Sequence, residues 1–180
     1  MPDDIRFQSV LTVFARYGFR KTSMDDLAKA AGVSRQTVYN RFGSKEAVLD
    51  WAVAGYLEQA YGKAVAALAD TDAAPAEALV EAFMRWAGDG VRLLHGPGHG
   101  AEILELGMDA IRRAEDDPDA RFRQALVAFL VGRGVCAGEV EAEDIAYLLQ
   151  MSSKGVLLKV DNIEAFQAGI TRIVRTALGG

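Results

Sequence analysis

Cysteine is almost missing from this chain, with Cys136 the single example in 180 residues. An internal disulfide is excluded, and a lone thiol agrees with a reducing cytoplasm. Long apolar runs are missing as well. None reaches the roughly 20 residues that a membrane span needs, so no membrane association is expected. The opening MPDDIRF lacks the positive-then-apolar layout of a secretion signal. There is no alternating strand pattern, no internal repeat and no low-complexity tract, so the fold is expected to be entirely helical.

Catalytic and metal-binding patterns are equally scarce. No Ser or Cys nucleophile has a histidine in a plausible motif, and no glycine-rich phosphate loop follows a strand. Cys136 stands in a Gly-rich turn with Arg133 its one basic neighbour, which leaves redox sensing as a minor alternative reading. The two histidines, His95 and His99, are four apart, but Gly96-Pro97-Gly98 forbids a regular helix between them. With no Cys or carboxylate cluster nearby in sequence to complete a site, they read as a solvated flexible loop, possible neighbours of a pocket mouth. No enzyme activity, cofactor or metal is expected.

What is present is concentrated between Thr22 and Lys45, TSMDDLAKAAGVSRQTVYNRFGSK. Ser23 stands where an N-cap would, with Asp26 three residues on as a short-armed capping-box acid. Leu27, Ala28 and Ala31 make one apolar stripe, and Gly32 supplies the backbone freedom for a sharp turn. Ser34 then caps a second short helix whose inward residues, Val38 and Phe42, are four apart. Its other side chains, Arg35, Gln36, Thr37, Tyr39, Asn40 and Arg41, have no core to fill. A solvated surface is the default for such a face. The complete turn signature around it favours a helix-turn-helix that reads base edges and phosphates in a major groove.

Charge supports that reading once it is divided along the chain. The net charge is −5, yet residues 1–50 carry eight Lys/Arg against six Asp/Glu, and the rest twelve against nineteen. From Arg16 to Lys45 there are seven basic residues against Asp25 and Asp26 alone. Screening over about one Debye length makes phosphate attraction a local matter, and an acidic remainder limits indiscriminate binding.

Residues from about Val10 to Ala54 resemble the DNA-binding domain of the TetR/AcrR family of one-component transcriptional regulators. The matching stretches are FARYGFRKTS, MDDLAKAAGVS and TVYNRFGSKEAVL. The resemblance implies an all-helical homodimer whose C-terminal domain binds a small molecule and releases operator DNA. It further implies phosphate contacts from Ser34 and Tyr39. Many family members carry Gly where Gln36 stands, so the base code is not transferable. Gln36 and Thr37 lead as base readers, Arg35 and Asn40 follow, and Lys45 at the next helix start is expected on a phosphate. The DNA-contact set is Ser23, Ser34, Arg35, Gln36, Thr37, Tyr39, Asn40, Arg41 and Lys45.

Helical spacing organises the rest. A first helix is expected near Asp4 to Tyr17 and a long one from Ser44 to about Ala69. Five more follow: Ala76 to Leu94, Ala101 to Ala114, Asp119 to Val131, Ala142 to Val160 and Asn162 to Leu178. The architecture is then all-α with about nine helices. A three-helix helix-turn-helix head (1–46) is fused to a helical effector-binding and dimerisation body (47–180). The long fourth helix joins them without a linker, so a push at its far end moves the head.

An apolar effector cavity is expected from Tyr56, Phe83, Trp86, Met108, Phe129, Tyr147 and Met151 taken together, although each alone is more readily core. The stripes of the last two helices suggest a dimer seam of Leu149, Ser152, Val156, Phe166, Ile170, Ile173 and Val174, unless both pack inside their own subunit. The function expected is a homodimeric repressor released from a palindromic operator by a small apolar effector. Alternatives are an activator or ligand-independent regulator, or a helical binding protein or enzyme with a vestigial head.

Overall fold

A computed structural model describes residues 7–96, 98–113 and 117–179. All regular structure among them is helical: α1 (Phe7–Tyr17), α2 (Met24–Ala31), α3 (Arg35–Phe42), α4 (Lys45–Leu68), α5 (Pro75–His95), α6 (Gly100–Arg113), α7 (Pro118–Gly132), α8 (Glu139–Leu157) and α9 (Ile163–Ala177). The expected start at Asp4, the break residue Pro97, and Ala114 and Asp116 lie outside the described residues.

Local chemistry sets the boundaries. Ser23 and Asp26 form a reciprocal capping box on α2, and Gly32 closes that helix in the left-handed conformation at φ 73°. Asp117 caps α7, with Pro118 in the first turn where its missing N–H is no loss. α8 starts at Glu139, the first residue of an acid-rich run, as the placement of that run at the helix start leads one to expect. Glu139 and Glu141 lie in its first turn, where carboxylates favour the positive end of the helix dipole.

The chain packs as two units. One takes the described residues up to Glu58 together with those between Leu93 and Asp116; the other takes Gln59–Arg92 and the residues from Asp117 onward. The first unit's core joins Val10, Phe14, Leu27, Ala28, Val38, Val48, Leu49 and Ala52 to Ile103 and Ala110 of α6. The head expected to end at residue 46 thus also incorporates half of α4 and all of the described α6. Physically, three short helices bury too little apolar surface to be stable alone. Phe14 and Leu27 are fully buried, each stabilising by roughly 1.5–3 kcal/mol.

In the second unit Phe122 stacks on Trp86 with ring centroids 4.7 Å apart and meets the edge of Phe83 at 5.3 Å. Leu126, Leu130, Leu149, Phe166, Ile170 and Val174 continue this core. Gln150, fully buried, donates to the Asp119 carbonyl at 2.8 Å and so joins α8 to the start of α7. Arg133 donates to the carbonyls of Asp70 and Ala73 at 3.0 and 2.6 Å, holding the α4–α5 loop.

Candidate nucleic-acid interface

Recognition begins with how α3 is held. Val38 is buried and Phe42 packs against the head core, so the helix has one inward edge. Counting about 100° per residue, Asn40 lies diametrically opposite the Val38–Phe42 midline, with Gln36 and Thr37 beside it. Arg35 and Tyr39 flank one side and Arg41 the other. The six polar or aromatic residues that sequence reasoning singled out are all exposed.

They are also ordered among themselves. The Gln36 amide nitrogen Nε2 donates to Asn40 Oδ1 at 2.7 Å. Ser34 Oγ accepts from the Thr37 N–H at 3.1 Å and is hydrogen-bonded to the Thr37 hydroxyl at 2.8 Å. The Arg35 guanidinium lies 5.3 Å from the Tyr39 ring centroid. A hydrogen bond with Tyr39 holds its pKa above the ordinary value. Arg41 lies over both Phe42 and Trp51, at 5.3 and 5.7 Å. Cations docked on rings keep their N–H edges outward at little entropic cost.

Two members of the expected contact set are engaged elsewhere. Ser23 donates its hydroxyl to Asp26 Oδ2 at 2.6 Å and its backbone N–H to the same oxygen at 3.0 Å. Both donors that a phosphate would use are occupied. Lys45, half-buried, donates to the carbonyls of Thr22 and Arg20 at 3.0 and 3.3 Å. Its Nζ sits 4.7 Å from the Phe19 ring centroid. It ties the start of α4 to the turn before α2, and the third N–H of the ammonium is left for a phosphate. Phe19 and Thr22 had no sequence signal for this, because their partner lies more than twenty residues away.

The glycine-rich loop is likewise more than a solvated spacer. The His99 N–H donates to the Ala15 carbonyl at 2.6 Å, and His99 Nδ1 meets Glu102 Oε2 at 3.1 Å. Gly98 has φ 113°, and a Cβ there would lie 2.6 Å from the Ala15 oxygen, so this approach to α1 requires glycine. His99, exposed in the loop as expected, thereby fastens the start of α6 to the C-terminal end of α1. The His95 side chain lies outside the described residues. Among the described residues no group of three metal-ligating side chains assembles.

The bacterial regulatory proteins, tetR family, match residues 11–51. The HTH-type transcriptional regulator YezE of Bacillus subtilis is 32% identical over 144 residues, which cover 74% of this chain and 70% of that protein. The chain belongs to the TetR family. The HTH-type transcriptional repressor KstR2 of Rhodococcus jostii is 40% identical over 52 residues, 29% of this chain but only 26% of its own length. In fold, a TetR-family transcriptional regulator from Mesorhizobium loti superposes with a TM-score of 0.66 at 18% identity, covering 96% of this chain and 93% of that one. The family consists of DNA-binding transcriptional regulators, not enzymes, and α2–α3 of this TetR-family protein is its helix-turn-helix.

The seven residues expected around an effector are divided between the two units. Tyr56 packs against the first unit's core, and Met108, also in that unit, is exposed. Phe83, Trp86 and Phe129 are buried in the second unit, while Tyr147 and Met151 are exposed on α8. Periodicity shows that a residue faces inward but not which core it enters. A depression of about 230 Å³ in the second unit is lined by Lys63, Glu81, Met84, Arg85, Gly88, Arg92 and Ile163. Cys136 Sγ donates to the Gly138 carbonyl at 3.6 Å, while Arg133 donates to carbonyls of the α4–α5 loop.

The residues of the expected dimer seam differ in how far one chain already buries them. Leu149, Phe166, Ile170 and Val174 are at most 1% exposed within one chain, and a partner has nothing left to cover there. Ser152, Val156 and Ile173 are half-buried. The small residue Gly169 serves intrachain packing, since a Cβ on it would lie 2.7 Å from Val156 Cγ1. The outer face of α8 carries Tyr147, Leu148 and Met151, all exposed. A Cβ added at Gly155 on that face would meet nothing. Along α9 runs an open groove of about 580 Å³, lined by Glu164, Gln167, Ala168, Thr171, Arg172 and Arg175.

Proposed function

We propose that this TetR-family protein is a homodimeric repressor that holds a pseudo-palindromic operator and is released from it by a small molecule. The observation that carries the reading is the exposed and internally ordered face of α3, from Arg35 to Arg41, in the basic part of an otherwise acidic chain. One head recognises a few base pairs. Two heads about 34–36 Å apart reach successive major grooves, which makes a two-fold dimer a geometric need. The outer face of α8, with Tyr147, Leu148 and Met151 exposed, and the neighbouring surface of α9 are its proposed interface.

Release follows from linkage. A ligand frees DNA only by binding a DNA-incompetent arrangement more tightly. Because α4 is continuous from Lys45 to Leu68, a rearrangement at its far end reaches the start of the helix that follows α3. A gel shift with the DNA flanking the protein's own gene tests the reading. Sequence-specific retardation of a dimer, relieved by a metabolite of the adjacent operon, is expected. Absence of any specific retardation sinks it.

A further inference from the structure

We infer that Gln36 reads adenine in each operator half-site and that Asn40 is its positioning residue, holding the amide in the orientation that adenine requires. The inference rests on DNA binding through α3. It goes beyond that reading by naming the base and the device that selects it.

The argument turns on which end of the Gln36 amide is engaged. A primary amide has a carbonyl acceptor and two N–H donors. Here Nε2 donates to Asn40 Oδ1 at 2.7 Å, which occupies one N–H and leaves the carbonyl Oε1 free. The hydrogen trans to the carbonyl can serve Asn40 while the cis hydrogen and Oε1 remain side by side. That remaining edge is one donor beside one acceptor. Adenine presents the complement in the major groove, an N7 acceptor beside an N6 donor, whereas guanine presents two acceptors, N7 and O6. Had Asn40 donated to Gln36 Oε1 instead, the free amide edge would be richer in donors and better suited to guanine. With Nε2 turned to Asn40 the free amide edge complements adenine.

Position and neighbours point the same way. Gln36 and Asn40 occupy the line of α3 farthest from Val38 and Phe42, where a helix in the groove comes closest to the bases. Thr37 Oγ1 is shared with the Ser34 cap, Arg35 is docked on Tyr39 and Arg41 on Phe42 and Trp51. With Oδ1 taken, Asn40 meets DNA through its Nδ2 hydrogens, suited to a phosphate oxygen, which carries no base preference. Pairing the two side chains before binding also removes rotamer freedom that each would otherwise lose at the interface.

The test is selection of bound duplexes from a randomised library by the intact protein and by Gln36→Ala, Asn40→Ala and Asn40→Asp. The intact protein is expected to select one adenine per half-site, and replacing it with 7-deazaadenine should weaken binding about tenfold. Gln36→Ala and Asn40→Ala should both lose that preference while other positions keep theirs. Asn40→Asp retains an acceptor for Gln36 Nε2, so it should keep the adenine preference while binding all sequences more weakly through phosphate repulsion. A defined consensus that is unchanged in Gln36→Ala overturns the adenine assignment. Loss of the preference in Asn40→Asp as in Asn40→Ala overturns the positioning role. Failure of the intact protein to select any sequence instead rejects the DNA-binding reading on which both depend.

Discussion

The Lys45 ammonium donates to the Thr22 carbonyl oxygen across 3.0 Å, so the first residue of α4 is fastened to the turn that precedes α2. The recognition helix lies between these two points. Its N-terminal side is anchored by the Ser34 cap and its C-terminal side by this bond.

Lys45→Ala should therefore loosen the head as well as weaken operator binding. Losing two carbonyl bonds and the contact with Phe19 should destabilise it by about 1–2 kcal/mol. Urea denaturation followed by the fluorescence of Trp51 measures this. The base preferences should be unchanged. An unaltered urea midpoint, with only the salt dependence of binding reduced, would return Lys45 to a purely phosphate role.

The Asp26 carboxyl is held below its ordinary pKa, first by the Ser23 hydroxyl, then by the Ser23 backbone N–H, with Lys29 adding a smaller attraction. A depressed carboxylate stabilises the fold fully above its unfolded pKa. That contribution disappears as pH falls through the lower folded value. Ser23→Ala removes the largest cause, so the Asp26 titration followed by carboxyl-carbon NMR should move up towards the usual range. A titration identical to that of the unaltered protein would mean the hydroxyl is not the partner.

Gly169→Ala places a methyl group 2.7 Å from Val156 Cγ1. Overpacking of this kind costs about 1–3 kcal/mol. Adding Val156→Ala should recover part of it, because the second change removes the atoms that the first collides with. A thermal double-mutant cycle reads the coupling, and strict additivity of the two losses would mean that α8 and α9 do not meet here.

Met151→Glu should give a monomer with a folded body and poor operator affinity, as judged by sedimentation and gel shift. Ile170→Glu should behave differently. It buries an unpaired carboxylate inside one subunit, a loss of roughly 3–5 kcal/mol, and should unfold the second unit. A dimeric Met151→Glu variant that binds DNA normally would place the interface away from α8.

Most of the helix-turn-helix is legible from residue order alone, because its determinants are neighbours in sequence. Ser23 with Asp26, Gly32, and Ser34 with Thr37 are contacts of three or four residues, within one helical turn. The stripes of α8 and α9 were legible too, but their destination was not. Ile170 and Leu149 repeat with the spacing that suits either an intrachain core or a dimer seam, and only packing chooses between them. Tyr147 and Met151, read as pocket wall, lie on the opposite side of α8 from Leu149.

The sequence by itself determined the helices, their caps, the basic head and the outward residues of α3, since each depends on local backbone preference, period and charge. Tertiary structure alone decided that α6 completes the core of the head, that His99 meets Ala15, and that Lys45 faces Thr22 and Phe19. It also decided which apolar stripe is used up within the subunit. These outcomes depend on side chains brought together from distant parts of the chain. No spacing rule encodes the approach of residues separated by a long loop, because many arrangements of the same amphipathic helices bury similar area. Steric fit and the satisfaction of buried carbonyls select among them.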